Sequence, residues 1–236
     1  MMTAIPLALK IAFIFTTLLT LVIFYWGFYL SPSQSTRKHS TKILIGLTAW
    51  LGIQGLLSSN NIYLVDTDSL PPKIFLLGVL PLLIIMLCIF LTHSGRELID
   101  GLDIKTITYI HLVRIPVEFI LYGLFVNLAI PGILTYEGWN FDLIMGLTAP
   151  LIIYFGFTKK VLSINVLLAW NVIGIILLIL VFVLAVLSSP SPLQQLAFDQ
   201  PNVGLLQFPF SWLPTFIVPV VILCHLISIR RLLGQP

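Results

Sequence analysis

Long stretches without charge are the feature that most constrains this chain. Seven mostly apolar segments are separated by connections that hold nearly all of the charged side chains. Of the 236 residues, 58% are hydrophobic and only 9% are charged, and the mean hydropathy is +1.08. A soluble domain of this composition would expose one large apolar surface to water. We therefore expect lipid to surround most of the chain.

The lengths of these segments predict about seven transmembrane helices. A bilayer core of about 30 Å needs roughly 20 apolar residues for each helical crossing. The second predicted span is the shortest and contains Gln54. The expected fold is an all-α, polytopic transmembrane helix bundle that forms a single domain over residues 1–236. The predicted spans cover residues 4–30, 43–57, 73–92, 107–129, 141–157, 164–187 and 208–227.

The first apolar run is expected to remain in the protein as a helix. Residues 1–6 carry no basic stretch, and no A-x-A-like cleavage site follows the run at residues 11–30. Lys10 is the one basic residue beside it. This pattern favours an uncleaved span over a signal peptide.

The distribution of cations predicts the orientation of the bundle. Cytoplasmic connections of membrane proteins carry an excess of Lys and Arg. The connections after the odd-numbered spans would therefore be cytoplasmic, with the N-terminus outside and the C-terminus inside. These connections contain Arg37, Lys38, Lys42, Arg96, Lys105, Lys159, Lys160, Arg230 and Arg231. The opposite connections contain Lys73, Asp66, Asp68, Glu137, Asp142 and Asp199.

The strongest candidate site lies in the fourth predicted span. His111, Arg114 and Glu118 are spaced three and four residues apart, so one helix face carries all three. Ionisable groups in hydrocarbon cost at least about 2.5 to 3.5 kcal/mol each, so we expect them to face the bundle interior and to pair. Arg114 and Glu118 are the expected couple, and Pro116 between them predicts a kink.

Asn171 in the sixth predicted span is a further candidate for the same site. An amide in lipid needs a partner, which Asn171 could find beside Arg114 or on another helix. We expect His111, Arg114, Glu118 and Asn171 to line a polar cavity that binds an ion, a proton or a small ligand. The alternative is an ion pair and an amide that only hold helices together.

Three histidines lie near the same predicted membrane depth. His93 ends the third span, His111 lies in the fourth and His225 lies near the end of the seventh. Three imidazoles could hold a zinc ion with an open coordination position, and two could ligate a haem. No spacing on a single helix requires either group, so the expectation is no cofactor, with zinc or haem as the alternative.

Two outer connections are longer than turns require and could bind a ligand. They combine amide, carboxylate and aromatic side chains, as binding loops do. An aromatic belt with polar turns at the membrane interface explains the same composition. The candidate residues are Glu137, Trp139, Asn140, Asp142 and Asp199.

Two resemblances follow from these motifs. The segments at 114–118 (RIPVE), 135–142 (TYEGWNFD) and 198–202 (FDQPN) resemble an uncharacterised family of bacterial seven-span membrane proteins, chiefly from Bacteroidota. That resemblance covers most of the chain from Ile107 onward and implies a topology but no activity. Pro116 and Glu118 are also similar to the P-x-E element of integral-membrane terpene cyclases. Phe119 occupies the place of their second carboxylate, and the last span has no acid.

The sequence thus predicts a multi-pass protein of the bacterial inner membrane. The favoured function is a small-molecule or ion carrier, or a ligand sensor. The alternatives are a lipid- or isoprenoid-modifying enzyme, with Glu118 as acid or the histidines around a metal, and an accessory membrane subunit. The expected partners are the bilayer and a small-molecule or lipid ligand. The few, dispersed cations predict no binding of nucleic acid.

Overall fold

The computed structural model describes residues 5–65 and 67–234, and the regular secondary structure of this part of the chain is helical, without strands. Ala4, where the first span was predicted to begin, and the acidic Asp66 lie outside the described residues. The main helices are α1 (Leu7–Tyr29), α2 (Ser40–Ser59), α3 (Phe75–Leu91), α4 (His93–Asp100), α5 (Ile104–Val126), α6 (Asp142–Thr158), α7 (Ile164–Ser188) and α8 (Leu213–Leu233).

Five of these helices are long and apolar enough to cross a membrane, namely α1, α2, α5, α7 and α8. A sixth span results if α3 and α4 count as one bent element. The structure therefore gives five or six candidate spans, and α6 is a shorter apolar helix. The second predicted span is longer than expected because polar residues at each end, such as Ser40 and Ser59, continue the helix to 20 residues.

The third predicted span ends in a sharp bend. The chain turns by 88° between α3 and α4. Thr92 has an extended backbone there, and its side chain accepts a hydrogen bond from the backbone N–H of Gly95. This is an N-terminal cap, so α4 begins as a new helix. Its charged and apolar residues lie on different faces, as in helices that lie at a membrane surface.

Close to Pro116, where the sequence predicts a kink, the helix type changes within α5. Residues Tyr109–Val113 form a 3-10 segment, and the α-helix resumes at Arg114. Pro116 has no N–H to donate to the carbonyl of Leu112, which weakens regular α-helical bonding at this point. In a 3-10 segment the side chains three residues apart eclipse one another. His111 and Arg114 consequently remain on one side of α5.

The centre of the bundle lies between α5 and α8. Within their apolar spans, 50% of α5 and 61% of α8 are buried, compared with 22% of α2. Helix α5 also contacts α1 and α6, and α8 contacts α7 along much of its length. A polar group on the inner faces of α5 and α8 therefore meets protein rather than lipid.

Candidate functional site: a buried ionic cluster

Arg114 lies at the centre of a group of polar side chains inside the bundle. Its Nε is 3.1 Å from Oδ2 of Asp142, and both side chains are buried. Its Nη1 lies 3.4 Å from Nε2 of His225, and its Nη2 donates a 3.3 Å hydrogen bond to the backbone carbonyl of Gly174. One guanidinium thus connects α5 to α6, α7 and α8.

The predicted pairing of Arg114 with Glu118 is wrong, because Arg114 forms its salt bridge with Asp142 instead. Glu118 lies one turn further along α5 and accepts a 2.7 Å hydrogen bond from Nδ2 of Asn140. Its second oxygen, Oε2, is buried without a hydrogen-bond partner among the described residues. The carboxylate that pairs with Arg114 comes from the next helix rather than from the same one.

Asn140 connects the two carboxylates. Its amide nitrogen donates to Glu118 and to the backbone carbonyl of Leu134, and its Oδ1 accepts a 3.0 Å hydrogen bond from the backbone N–H of Asp142. The connection before α6 therefore folds into the bundle. Asn140 and Asp142, which were predicted as outer-loop residues, are buried parts of the site.

His225 is oriented by Asn171. The Nδ2 of Asn171 donates to the carbonyl of Leu167, which leaves its Oδ1 to face Nδ1 of His225 at 2.8 Å. Nδ1 must then carry the hydrogen, and Nε2 is free to accept from Arg114. These contacts describe a neutral imidazole in a defined tautomer.

Gly174 permits this arrangement because it has no side chain. A Cβ added to Gly174 would lie 2.4 Å from both Cε1 and Nε2 of His225. That distance is far below van der Waals contact, so any larger residue would displace the imidazole. Gly174 was not among the predicted site residues, because its only signal in the sequence is a lone glycine in an apolar span.

His111 is the least satisfied member of the group. Its ring stacks on that of His225, with the centroids 4.0 Å apart, and it forms a T-shaped contact with Trp170, with the centroids 5.1 Å apart. It is fully buried, and neither ring nitrogen has a hydrogen-bond partner among the described residues. Most buried polar atoms in proteins have a partner, so His111 is a candidate for binding a proton or a polar ligand.

We call this group the ionic cluster. The structure brings together all four residues predicted to form the site, and adds three that were predicted for other roles. Its members are His111, Arg114, Glu118, Asn140, Asp142, Asn171 and His225.

The other predicted site residues lie elsewhere. Glu137, Trp139 and Asp199 are exposed on the connections. His93 is exposed on α4, whereas His111 and His225 are buried. Within residues 5–65 and 67–234, no three His, Cys, Asp or Glu side chains are grouped as a metal site. The structure therefore does not bring the three histidines together.

The bundle contains three cavities whose lining residues can be compared with the ionic cluster. The first, about 290 Å³, lies beside Tyr63 and Asn202, and the second, about 320 Å³, lies beside Gly46 and Trp50. A third, about 280 Å³, lies beside Gln200. Members of the ionic cluster line none of these three cavities. The ionic cluster is therefore a separate group of buried polar side chains, and its role as a binding cavity stays a prediction.

Comparison with known proteins places the chain in a family. The model of a domain of unknown function, DUF8737, matches residues 71–233. The chain belongs to the DUF8737 family. The match includes all seven members of the ionic cluster, and it confirms the expectation of an uncharacterised family. No curated protein and no solved structure matches the chain.

Proposed function

We propose that this membrane protein binds and releases one proton at the ionic cluster, as part of a carrier or a sensor. The supporting observation is the charge balance of the cluster. It contains one guanidinium, two carboxylates and two imidazoles, all of them buried. With both imidazoles neutral and both carboxylates ionised, the net charge is 1 − 2 = −1.

A buried net charge has a high free energy, because the low-dielectric interior cannot replace the hydration of an ion. One bound proton brings the cluster to neutrality. The proton belongs to the coupled group and not to a single residue, since Glu118 Oε2 and the ring nitrogens of His111 have no hydrogen-bond partner among the described residues and either side chain can hold it. Groups of Asp, Glu and His inside membranes form proton pathways in many pumps and transporters.

The contacts of the cluster can couple the binding of a proton to a change in the arrangement of the helices. Arg114 joins α5 to Asp142 on α6, to Gly174 on α7 and to His225 on α8. A change in the charge of the cluster alters the relative strength of these contacts, so two arrangements of the four helices would differ in their affinity for the proton. Such a difference is what allows a bound ion to shift a conformational equilibrium.

The number of spans and their orientation in the membrane are part of the same proposal. We place seven spans in the inner membrane of a bacterium, with α6 as a short crossing, the N-terminus outside and the C-terminus in the cytoplasm. The alternation of cationic and acidic connections supports this orientation. A crossing by α6 also accounts for the odd number of spans that the alternation requires.

A lipid- or isoprenoid-modifying enzyme is the second candidate. The observation that favours it is Glu118, a buried carboxyl whose Oε2 has no hydrogen-bond partner among the described residues. A buried carboxyl that holds its proton can act as a general acid. In that case Glu118→Gln would abolish turnover of a lipid substrate, whereas in the favoured function it changes proton binding without any substrate present.

Hydrogen exchange in nanodiscs at acidic and alkaline pH tests the favoured function. We expect amide protection in α5, α6 and α8 to differ between the two pH values. Glu118→Gln removes the negative charge, so the cluster is neutral without a bound proton and the difference should largely disappear. Glu137→Gln removes an exposed carboxylate and is the matched control, which should retain the difference. Equal differences in both variants would overturn the proposal.

A further inference from the structure

A second feature of the bundle is an apolar groove that no residue of α7 lines. It is the cavity of about 320 Å³ between α1, α2, α3 and α8, and its size falls within the range of ligand sites, roughly 300 to 1,000 Å³. Ile85 on its wall is 50% exposed, so the groove reaches the lipid-facing surface. Its walls include Phe28, Gly46, Trp50, Met86, Leu98 and Leu223.

Four cationic residues lie close in the chain to wall residues at one end of this groove. Lys42 is exposed and lies one turn before Gly46 on the same face of α2. Arg96 on α4 donates hydrogen bonds from Nη1 to the backbone carbonyls of Phe90 and Leu91, directly after the wall residue Ile89 in α3. Arg37 and Lys38 occupy the connection between α1 and α2.

The acidic residues of α4 have partners of their own. Ser35 donates a hydrogen bond to Glu97, and Asp100 forms a salt bridge with Arg230. Arg37, Lys38, Lys42 and Arg96 outnumber Glu97, so this end of the groove has a net positive charge.

Hydrogen bonds hold this end of the groove in place. The hydroxyl of Thr36 donates to the carbonyl of Leu98 at 3.0 Å, and the hydroxyl of Ser31 donates to the carbonyl of Gly101 at 2.7 Å. These bonds attach the α1–α2 connection to the C-terminal end of α4. The apolar walls and the cationic end consequently form one preorganised site.

We propose that the groove binds one acyl chain of an anionic phospholipid, with the phosphate of its headgroup at Lys42 and Arg96. An apolar groove open to the bilayer suits hydrocarbon, and a cluster of Lys and Arg beside the membrane attracts anionic lipid headgroups. The acyl chain thus matches the apolar walls of the groove, and the phosphate matches its cationic end. This proposal is independent of the proton-binding function of the ionic cluster.

Gly46 provides a direct way to block the groove. A Cβ added there meets no atom within 4 Å, although Gly46 lies in the wall. A phenylalanine at this position can therefore occupy the groove without a clash at its Cβ. Gly52 is the matched control, because it lies on the same helix, also has open space around it and does not line the groove.

The experiment measures lipid retained by the purified protein. Protein is incorporated into nanodiscs of phosphatidylcholine and phosphatidylglycerol, extracted gently, and analysed by native mass spectrometry. We expect wild type and Gly52→Phe to retain one phosphatidylglycerol, and Gly46→Phe to retain at least about tenfold less, which corresponds to about 1.4 kcal/mol. Equal retention by the two variants would overturn the proposal.

The headgroup is tested separately with charge variants. Lys42→Gln should reduce the preference for phosphatidylglycerol over phosphatidylcholine, while Lys159→Gln, on another connection, should leave the preference unchanged. Equal binding of the two lipids by the wild type would contradict the proposed role of the cations. If Gly46→Phe unfolds, the result for Lys42→Gln still decides whether an anionic headgroup is recognised at this site.

Discussion

Arg114 and Asp142 form a buried ion pair across the interface of α5 and α6, with Nε and Oδ2 3.1 Å apart. Asp142 begins α6, and its sequence position suggested a surface connection. Pairing with Arg114 makes this acid part of the core instead. The connection before α6 is thereby fixed to the centre of the bundle.

Removal of one member of this pair should be strongly destabilising. Asp142→Asn removes the salt-bridge partner of a buried guanidinium, and breaking a buried pair in this way typically costs about 3 to 5 kcal/mol. Unfolding of the purified protein by denaturant measures the effect. Asp199→Asn removes an exposed carboxylate and should change stability by less than about 0.5 kcal/mol.

A double variant distinguishes the lost pair from general damage to the fold. If the pair accounts for the effect, Asp142→Asn combined with Arg114→Gln should cost less than the sum of the two single changes. Additive losses would contradict the assigned contact.

Gly174→Ala should disturb the site through a steric clash. Its new Cβ would lie 2.4 Å from the ring of His225, so the imidazole must move away from Arg114 and Asn171. Overpacking of this kind costs about 1 to 3 kcal/mol. Gly52→Ala meets no atom within 4 Å and serves as the control in the same unfolding assay. Comparable stability of the two variants would show that His225 is not packed against Gly174.

Asp100 should make stability depend on acid pH. Arg230 donates two hydrogen bonds to its carboxylate, which lowers the pKa of Asp100 below its ordinary value of 3.8. Folding therefore favours the ionised form. This contribution is fully present above pH 3.8 and is lost as the pH falls through the lowered pKa.

The measurement compares the unfolding temperatures of wild type and Asp100→Asn across this pH range. Their difference should shrink in acid, and it should also decrease with salt, because both side chains are partly exposed. A difference that stays constant with pH would exclude the ion pair as its source.

A crossing by α6 predicts that its two ends face opposite sides of the membrane. Glu137→Cys and Lys159→Cys, in a background with Cys88 replaced by serine, place single labels at the two ends. Cys224 is buried and should react slowly. A membrane-impermeant thiol reagent applied to intact cells should label the first variant and not the second. Labelling of both from the same side would show that α6 does not span.

The sequence was sufficient to predict the helical bundle. The length of an apolar run and the free-energy cost of a charged side chain in lipid can both be evaluated from local sequence. The same reasoning predicted that Arg114 and Glu118 face the interior. It could not identify Asp142 as the partner of Arg114, since two residues on adjacent helices meet only after the connection between them has folded inward.

Other differences from the sequence analysis also arise from tertiary structure. The role of Gly174 depends on the ring of His225, which lies on another helix. The bend at Thr92 depends on a single cap within a run that hydropathy treats as continuous. His93 therefore lies exposed on a separate helix, although the membrane depth predicted for it matched that of the other two histidines.

Infrared difference spectroscopy during a pH change tests the central claim most directly, because it detects the protonation of carboxyl and imidazole groups themselves. The account predicts that wild type and Glu137→Gln gain one proton in a buried environment, and that this signal is absent from Glu118→Gln, whose cluster is neutral without it. A buried protonation signal of the same size in Glu118→Gln, or its absence from wild type, would contradict the account.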